Sequence, residues 1–262
     1  MHILVTNDDG VFAPGLLALT QAARKITDQV TILAPDHNWS ASGHVKTLHR
    51  PLRVNKVQLE DGTMAWASDG APSDCVALAQ LGFIPEKIDL VLSGINPNAN
   101  IGHDLTYSGT VTAAMEAAIW GIPGIAVSLD KSEDDAIPVD YGPAAEATRR
   151  IVTWLWEQPD VPQDMILNVN VPNRPLSQMK GFRITRQGQR IYRDELLRRL
   201  DPRGKPYYWI GGEAPTGVEE PGTDFGSLLA GYVSITPIKL DLTSETLKTW
   251  LNDHGFNGEL PE

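Results

Sequence analysis

The chain has 262 residues, 42% hydrophobic and 21% charged, a composition that excludes disordered and fibrous proteins and suits one main domain with a smaller appendage. Its 22 basic and 33 acidic side chains leave a formal net charge of -11, which argues against a surface built to grip a nucleic-acid backbone. The one cysteine, Cys75, excludes an intrachain disulfide, and no apolar run approaches the ~20 residues that span a bilayer, so a cytoplasmic protein without membrane association is expected.

Ile3-Leu4-Val5 is a short apolar run that stops at Asn7-Asp8-Asp9-Gly10 and is followed by helical spacing through Leu16, Leu17, Leu19, Ala22 and Ala23. A second buried run, Val30 to Ala34, ends at Pro35-Asp36, so the chain opens as a βαβ unit with parallel strands. Residues 38–43 are polar and turn-rich, and Leu52 to Trp66 alternates as a hairpin around Asp61-Gly62. A helix is expected from Ser73 to Leu81, and a strand over Ile88 to Leu92 that ends at Ser93-Gly94. Ser108-Gly109-Thr110 opens a helix through Val111, Ala114, Met115, Ala118 and Ile119, which Gly121 and Pro123 stop. Further along, Ile125 to Val127 reads as a strand, Ala144 to Trp156 as a helix and Ile166 to Val171 as a strand. After Pro172 arginines and turn signals multiply, which places a boundary there: residues 1–172 as an α/β core, and 173–262 as a C-terminal region with a returning strand at 232–236 and a last helix at 244–251.

Adjacent carboxylates directly after a buried strand raise each other's pKa by repulsion and lose solvation, and a divalent cation relieves both costs. Asp8 and Asp9 occupy that position, at the sheet edge where open α/β folds bind ligands; capping of the next helix or shaping of the turn at Gly10 is the competing use. The loops after Ala34 and Leu92 reach the same edge and offer Ser40 and Asn96, whose neutral oxygens beside carboxylates suit Mg²⁺ or Mn²⁺ better than zinc. Ser108, Gly109 and Thr110 present free N–H groups at a helix start to an anion, alongside the commoner use of Ser108 as an N-cap. His37, His44 and His103 fall in loops near this edge but show no zinc spacing, and no P-loop or dinucleotide fingerprint is present.

Together Ile3 to Gly10, Ala34-Pro35-Asp36, Ser93-Gly94-Ile95-Asn96 and Tyr107 to Val111 resemble the SurE (survival protein E) family of nucleotidases. Leu167 to Pro172, Asp201-Pro202-Arg203-Gly204 and Thr223-Asp224-Phe225 extend the likeness over nearly the whole chain. The resemblance implies a Rossmann-like, mostly parallel sheet flanked by helices. It also implies a 5′-nucleotidase that hydrolyses nucleoside monophosphates, with 3′-nucleotides and short polyphosphate as further substrates, and a homodimer or homotetramer assembled through the C-terminal region. One divalent cation per subunit, Mg²⁺ or Mn²⁺, would be held by Asp8, Asp9, Ser40 and Asn96, with Asp8 or Asp9 as proton acceptor and Ser108, Gly109 and Thr110 against the phosphate. The sequence departs from the family pattern at His37-Asn38-Trp39, where relatives often carry a basic residue before the serine, at Asn98, where glycine is usual, and at His103. A non-catalytic Mg²⁺-binding receiver-like module is the alternative, but the strand ends Ser93-Gly94 and Ser128-Leu129-Asp130-Lys131 lack its phospho-accepting Asp and its Lys. An aspartyl-nucleophile phosphatase would need Asp-x-Asp, which Asp8-Asp9 does not provide.

Overall fold

A computed structural model describes residues 1–131 and 138–255. Strand β1 (Ile3–Thr6) lies between two parallel neighbours, β2 (Val30–Pro35) on one side and β5 (Leu90–Asn96) on the other. The hairpin of β3 (Val54–Gln58) and β4 (Met64–Ser68) extends the sheet beyond β2, with β4 parallel to it. Beyond β5 come β6 (Gly124–Asp130) and β7 (Ile166–Pro172), both parallel, then β11 (Val233–Ile238), antiparallel to β7, and β8 (Phe182–Ile184) at the edge. The full order is β3-β4-β2-β1-β5-β6-β7-β11-β8, the mostly parallel sheet expected from the sequence.

Parallel strands joined by helices bury both faces, and successive residues of β1 accordingly divide between two layers. Ile3 and Val5 pack with α1 (Pro14–Arg24) and α4 (Gly142–Trp156) through Leu16, Leu19, Ala147 and Ile151. Leu4 packs on the opposite side with Cys75 and Val76 of α2 (Pro72–Leu78) and Ala113 and Ala117 of α3 (Gly109–Ile119). Cys75 is fully buried in that layer, and burial pushes its thiol well above the ordinary range, which removes it as a nucleophile.

The chain after Pro172 returns to the same sheet through β8 and β11, while β9 (Arg190–Leu200) and β10 (Pro206–Gly217) form a separate two-stranded antiparallel ribbon. The sequence reading did not anticipate this ribbon or the short α5 (Asp224–Leu229), whereas the last helix, α6 (Glu245–Asp253), falls where expected. Three of the arginines in this region have defined partners: Arg183 stacks on Tyr232 at 3.5 Å, Arg186 pairs with Glu220, and Arg190 pairs with Asp104 at 2.7 Å.

Close packing of α3 on β6 depends on Gly124, where an added Cβ would stand 2.4 Å from the carbonyl oxygen of Ala114. Because that obstacle is helix backbone, Gly124→Ala is expected to destabilise the fold by about 1–3 kcal/mol, read as a lowered urea midpoint with an unchanged slope.

Candidate metal and phosphate site

The chain runs from β1 to β2 on one side and returns to β5 on the other, so the carboxyl ends of β1 and β5 flank the point where strand order reverses. Such a crevice is where open α/β sheets take ligands. Thr6 is paired with Ser93 across this point, which sets the Asp8-Asp9 loop beside the Asn96 loop. The first loop is shaped by Asn7, whose Nδ2 donates to the Gly10 carbonyl at 2.9 Å, and by Gly10 at φ +104°, a conformation that side chains resist. Two backbone bonds, Val11 N to Pro35 O and Trp39 N to Asp8 O, both 2.7 Å, stitch the loop after β2 against it. Ser40, next to Trp39, is thereby delivered to the acidic pair.

Asp8 is 3% exposed, and its Oδ1 accepts from the Thr110 hydroxyl at 2.5 Å. Burial raises its pKa; the Thr110 hydroxyl and the backbone at the start of α3 oppose that rise without cancelling it. Asp9 is raised to about 7, first by burial and then by the neighbouring Asp8 charge, and its Oδ2 is buried with no hydrogen-bond partner among the described residues. A like-charged pair, one member buried and the other half-buried with an orphaned carboxylate oxygen, is an environment that a cation would stabilise.

Asp8, Ser40, Asn96 and Ser108 line one cleft of about 660 Å³, within the range of small-molecule sites. The Asn96 Nδ2 donates to the Asn98 carbonyl at 2.5 Å, so its side-chain oxygen remains for the cleft. Ser108 accepts from Val111 N at 3.1 Å, the capping role open to it from sequence. Asp9, Gly109 and Thr110 are not on the cleft wall; Gly109 presses on Asp8, where an added Cβ would lie 2.7 Å from the Asp8 Cβ. Among the described residues no three or more His, Cys, Asp or Glu side chains gather as a metal cage. The oxygens of Asp8, Ser40 and Asn96 on the cleft wall, with Asp9 adjoining, would make an all-oxygen donor set of the kind that suits a hard cation.

None of the three loop histidines lines the cleft: His37 is paired with Asp36 and set against Trp39, His44 turns to Glu116, and His103 is exposed. Sequence reading missed the outer wall, formed by Asp104, Tyr107, Arg190 and Phe225. Asp104 accepts from Arg190 Nε at 2.7 Å and from the Tyr192 hydroxyl at 2.6 Å, which fastens the base of the ribbon to the 3₁₀ turn at Gly102–Thr106. Asp224, within the Thr-Asp-Phe motif, accepts from Gly102 N and Gly188 N at 2.9 and 2.8 Å and pins the same turn.

Fold and cleft together define a doubly wound α/β protein that gathers an acidic loop and a helix start at the switch point of its sheet. The chain belongs to the SurE family: the family profile described as "Survival protein SurE" matches residues 3–194. Among its relatives, a protein of Herpetosiphon aurantiacus named 5′-nucleotidase SurE is 52% identical over 93% of this chain and 94% of its own length. One of the same name from Chloroflexus aggregans is 48% identical over 95% and 99%. The crystal structure of the Sure protein from Aquifex aeolicus superposes with a TM-score of 0.80 at 39% identity, covering 97% of this chain and 99% of that one. Among the described residues no helix is long and apolar enough to cross a membrane.

For the metal-free protein, the raised Asp9 pKa of about 7 means that the folded state binds a proton more tightly than the unfolded state. The resulting stability is fully present below the ordinary carboxylate range and lost as pH rises through about 7. Melting with a chelator present is expected to fall by on the order of 5 °C between pH 5 and pH 8 through this group, and Asp9→Asn should flatten that difference. A wild-type and variant pair with parallel profiles would contradict it.

Proposed function

We propose that this chain is a divalent-metal-dependent 5′-nucleotidase that hydrolyses nucleoside monophosphates to nucleoside and phosphate. The observation that carries the reading is the acidic pair after β1: buried Asp8, which lines one cleft with Ser40, Asn96 and Ser108, and half-buried Asp9 next to it, with an orphaned carboxylate oxygen. The name 5′-nucleotidase on relatives at 44–52% identity points the same way. Substrate class also draws support from the cleft wall, where Tyr107, 62% exposed, and Phe225 give aromatic surfaces on which a nucleobase can stack.

In this reading Asp8, Asp9, Ser40 and Asn96 hold one Mg²⁺ or Mn²⁺ per subunit. Bound there, such an ion would supply positive charge to polarise a phosphoryl oxygen and a water molecule. Thr110 fixes Asp8 in orientation through their hydrogen bond, and it reaches the phosphate side only by sharing or surrendering that bond. Ser108 and Gly109 put the positive end of α3 beside the phosphoryl group, where negative charge develops. Asp9 has the carboxylate oxygen free of donors and is assigned as acceptor of the water proton.

Activity on 3′-nucleotides and short polyphosphate belongs to the same proposal, as does a homodimer or homotetramer built through the region after Pro172. Assembly is supported by the β9–β10 ribbon, which leaves Leu196, Trp209 and Ile210 at 69%, 63% and 83% exposed. No stable nucleic-acid binding is a companion expectation, supported by the net charge of -11, and a cytoplasmic location is another, with which the single cysteine agrees.

The deciding assay is phosphate release from 5′- and 3′-nucleoside monophosphates, short polyphosphate and an aryl phosphate, with Mg²⁺, Mn²⁺ or a chelator. Release that needs metal and favours 5′-nucleotides is expected; equal release with chelator would refute the reading. Asp9→Asn should lower kcat by about 10²-fold or more with the far-UV spectrum unchanged.

A further inference from the structure

Between β2 and β3 the chain runs through residues 36–53 without helix or strand. Loops beyond about 12–15 residues that lack structure of their own are uncommon and usually functional. This one carries Ser40. Its first part is tied by the Trp39 bond to Asp8 and by Gly43 N to the Tyr107 carbonyl at 2.9 Å. Its far part is tied by Thr47, whose N and Oγ1 donate to the two oxygens of Asp74 at 2.9 and 2.6 Å.

Between these ties stands a single carboxylate, Glu116 of α3, which is 2% exposed. Its Oε2 lies 2.9 Å from His44 Nε2, and its Oε1 accepts from Lys46 Nζ and Trp120 Nε1, each at 2.9 Å. Two of the three partners belong to the loop. Burial pushes the Glu116 pKa up, but the bonds from His44, Lys46 and Trp120 together outweigh it and carry the pKa down to about 2. The carboxylate therefore stays ionised, and bonds to an ionised, buried acceptor are the strong ones. Nothing in α3 itself calls for an acid here, because neighbouring Ala113 and Ala117 pack into an apolar layer.

We propose that Glu116 is a positioning residue for the cleft: by gripping His44 and Lys46 it fixes the span of loop that presents Ser40 beside Asp8 and Asn96. The role rests on the metal-dependent reading above. Its effect passes through the loop, since Glu116 does not line the cleft. His44, with 31% of its side chain exposed, is the firmer arm; Lys46, at 46%, is the more solvated one.

The test uses the full chain and three variants, Glu116→Gln, His44→Ala and His44→Gln. Limited trypsin digestion reads the loop directly, through cleavage after Lys46 and Arg53; calorimetric titration with Mn²⁺ alone reads the metal site. In Glu116→Gln and His44→Ala, loop cleavage should accelerate and the Mn²⁺ dissociation constant should rise about tenfold, while kcat at saturating Mn²⁺ stays within about threefold. His44→Gln, which keeps a donor, should restore part of both losses. His44 sits on an exposed loop, so its variants remain informative if Glu116→Gln fails to fold. A His44→Ala protein with wild-type cleavage, or with a loosened loop and wild-type Mn²⁺ affinity, overturns the positioning role. A wild-type chain that binds no Mn²⁺ overturns the metal reading, and with it this claim on Ser40; wild-type binding with unaltered variants overturns the positioning role alone.

Discussion

Two carboxylates, one of them almost wholly out of solvent, stand at the end of a strand that is itself fully buried, and much of the surrounding structure serves to tolerate them. The fold meets part of the cost with donors. Thr110 gives its hydroxyl to Asp8, and α3 begins against the same carboxylate, so the positive end of a helix faces the more buried of the two acids. Asp9 receives no such help at its Oδ2, and burial together with the Asp8 charge raises its pKa to about 7. A polar atom left without a partner in a native structure calls for an explanation, and here it belongs to the residue that follows Asp8, which lines the crevice where the sheet changes direction.

The helix start and the acidic loop are fitted to each other closely enough that neither can be altered alone. Gly109 has no room for a Cβ because Asp8 occupies that space, and Gly10 turns the loop in a conformation that keeps it against the backbone of His37. The first of these contacts joins residues about a hundred positions apart in the chain, and the order β2-β1-β5 brings both pairs together. A shift of α3 along its axis would therefore move the capping serine, the threonine bonded to Asp8 and the glutamate that grips the Ser40 loop together. The acidic loop and the start of α3 thus share the close packing of a core, while Ser40 is carried to them on an exposed loop.

Most of the central sheet was legible because buried parallel strands write themselves as short apolar runs, as Ile3 to Val5 and Ile166 to Val171 do, and helices such as α4 write a 3.6-residue period. The β9–β10 ribbon was not, because both of its faces are exposed and Arg190 to Leu200 carries charges and leucines without a buried side to order them. In the site, Asp8 and Asp9 were visible from the cost of adjacent carboxylates after a buried strand. Ser40 and Asn96 were visible as loop residues at the same edge, and they gained a definite role through the resemblance. Glu116 could not be read: a glutamate in a helix ordinarily marks the solvated side, and its partners lie about seventy residues earlier, in a loop whose path no periodicity predicts.

The outer wall adds a constraint of a different kind. Tyr107 follows the 3₁₀ turn at Gly102–Thr106, and that turn is held from outside the central sheet by Arg190 and Tyr192 on Asp104, by Gln187 Nε2 on the Gly102 carbonyl at 2.6 Å, and by Asp224 on the Gly102 N–H. The ribbon and the cleft wall are thus one mechanical piece, joined through bonds to or from charged groups, several of them out of solvent. The inner wall has no such attachment; it is set by β1, β5 and α3. The cleft accordingly lies between a floor defined by the sheet and a wall defined by the ribbon. A change in how the ribbon is held reaches Tyr107 before it reaches Asp8, so it bears on how the outer part of a substrate is gripped before it bears on the chemistry at the acidic pair.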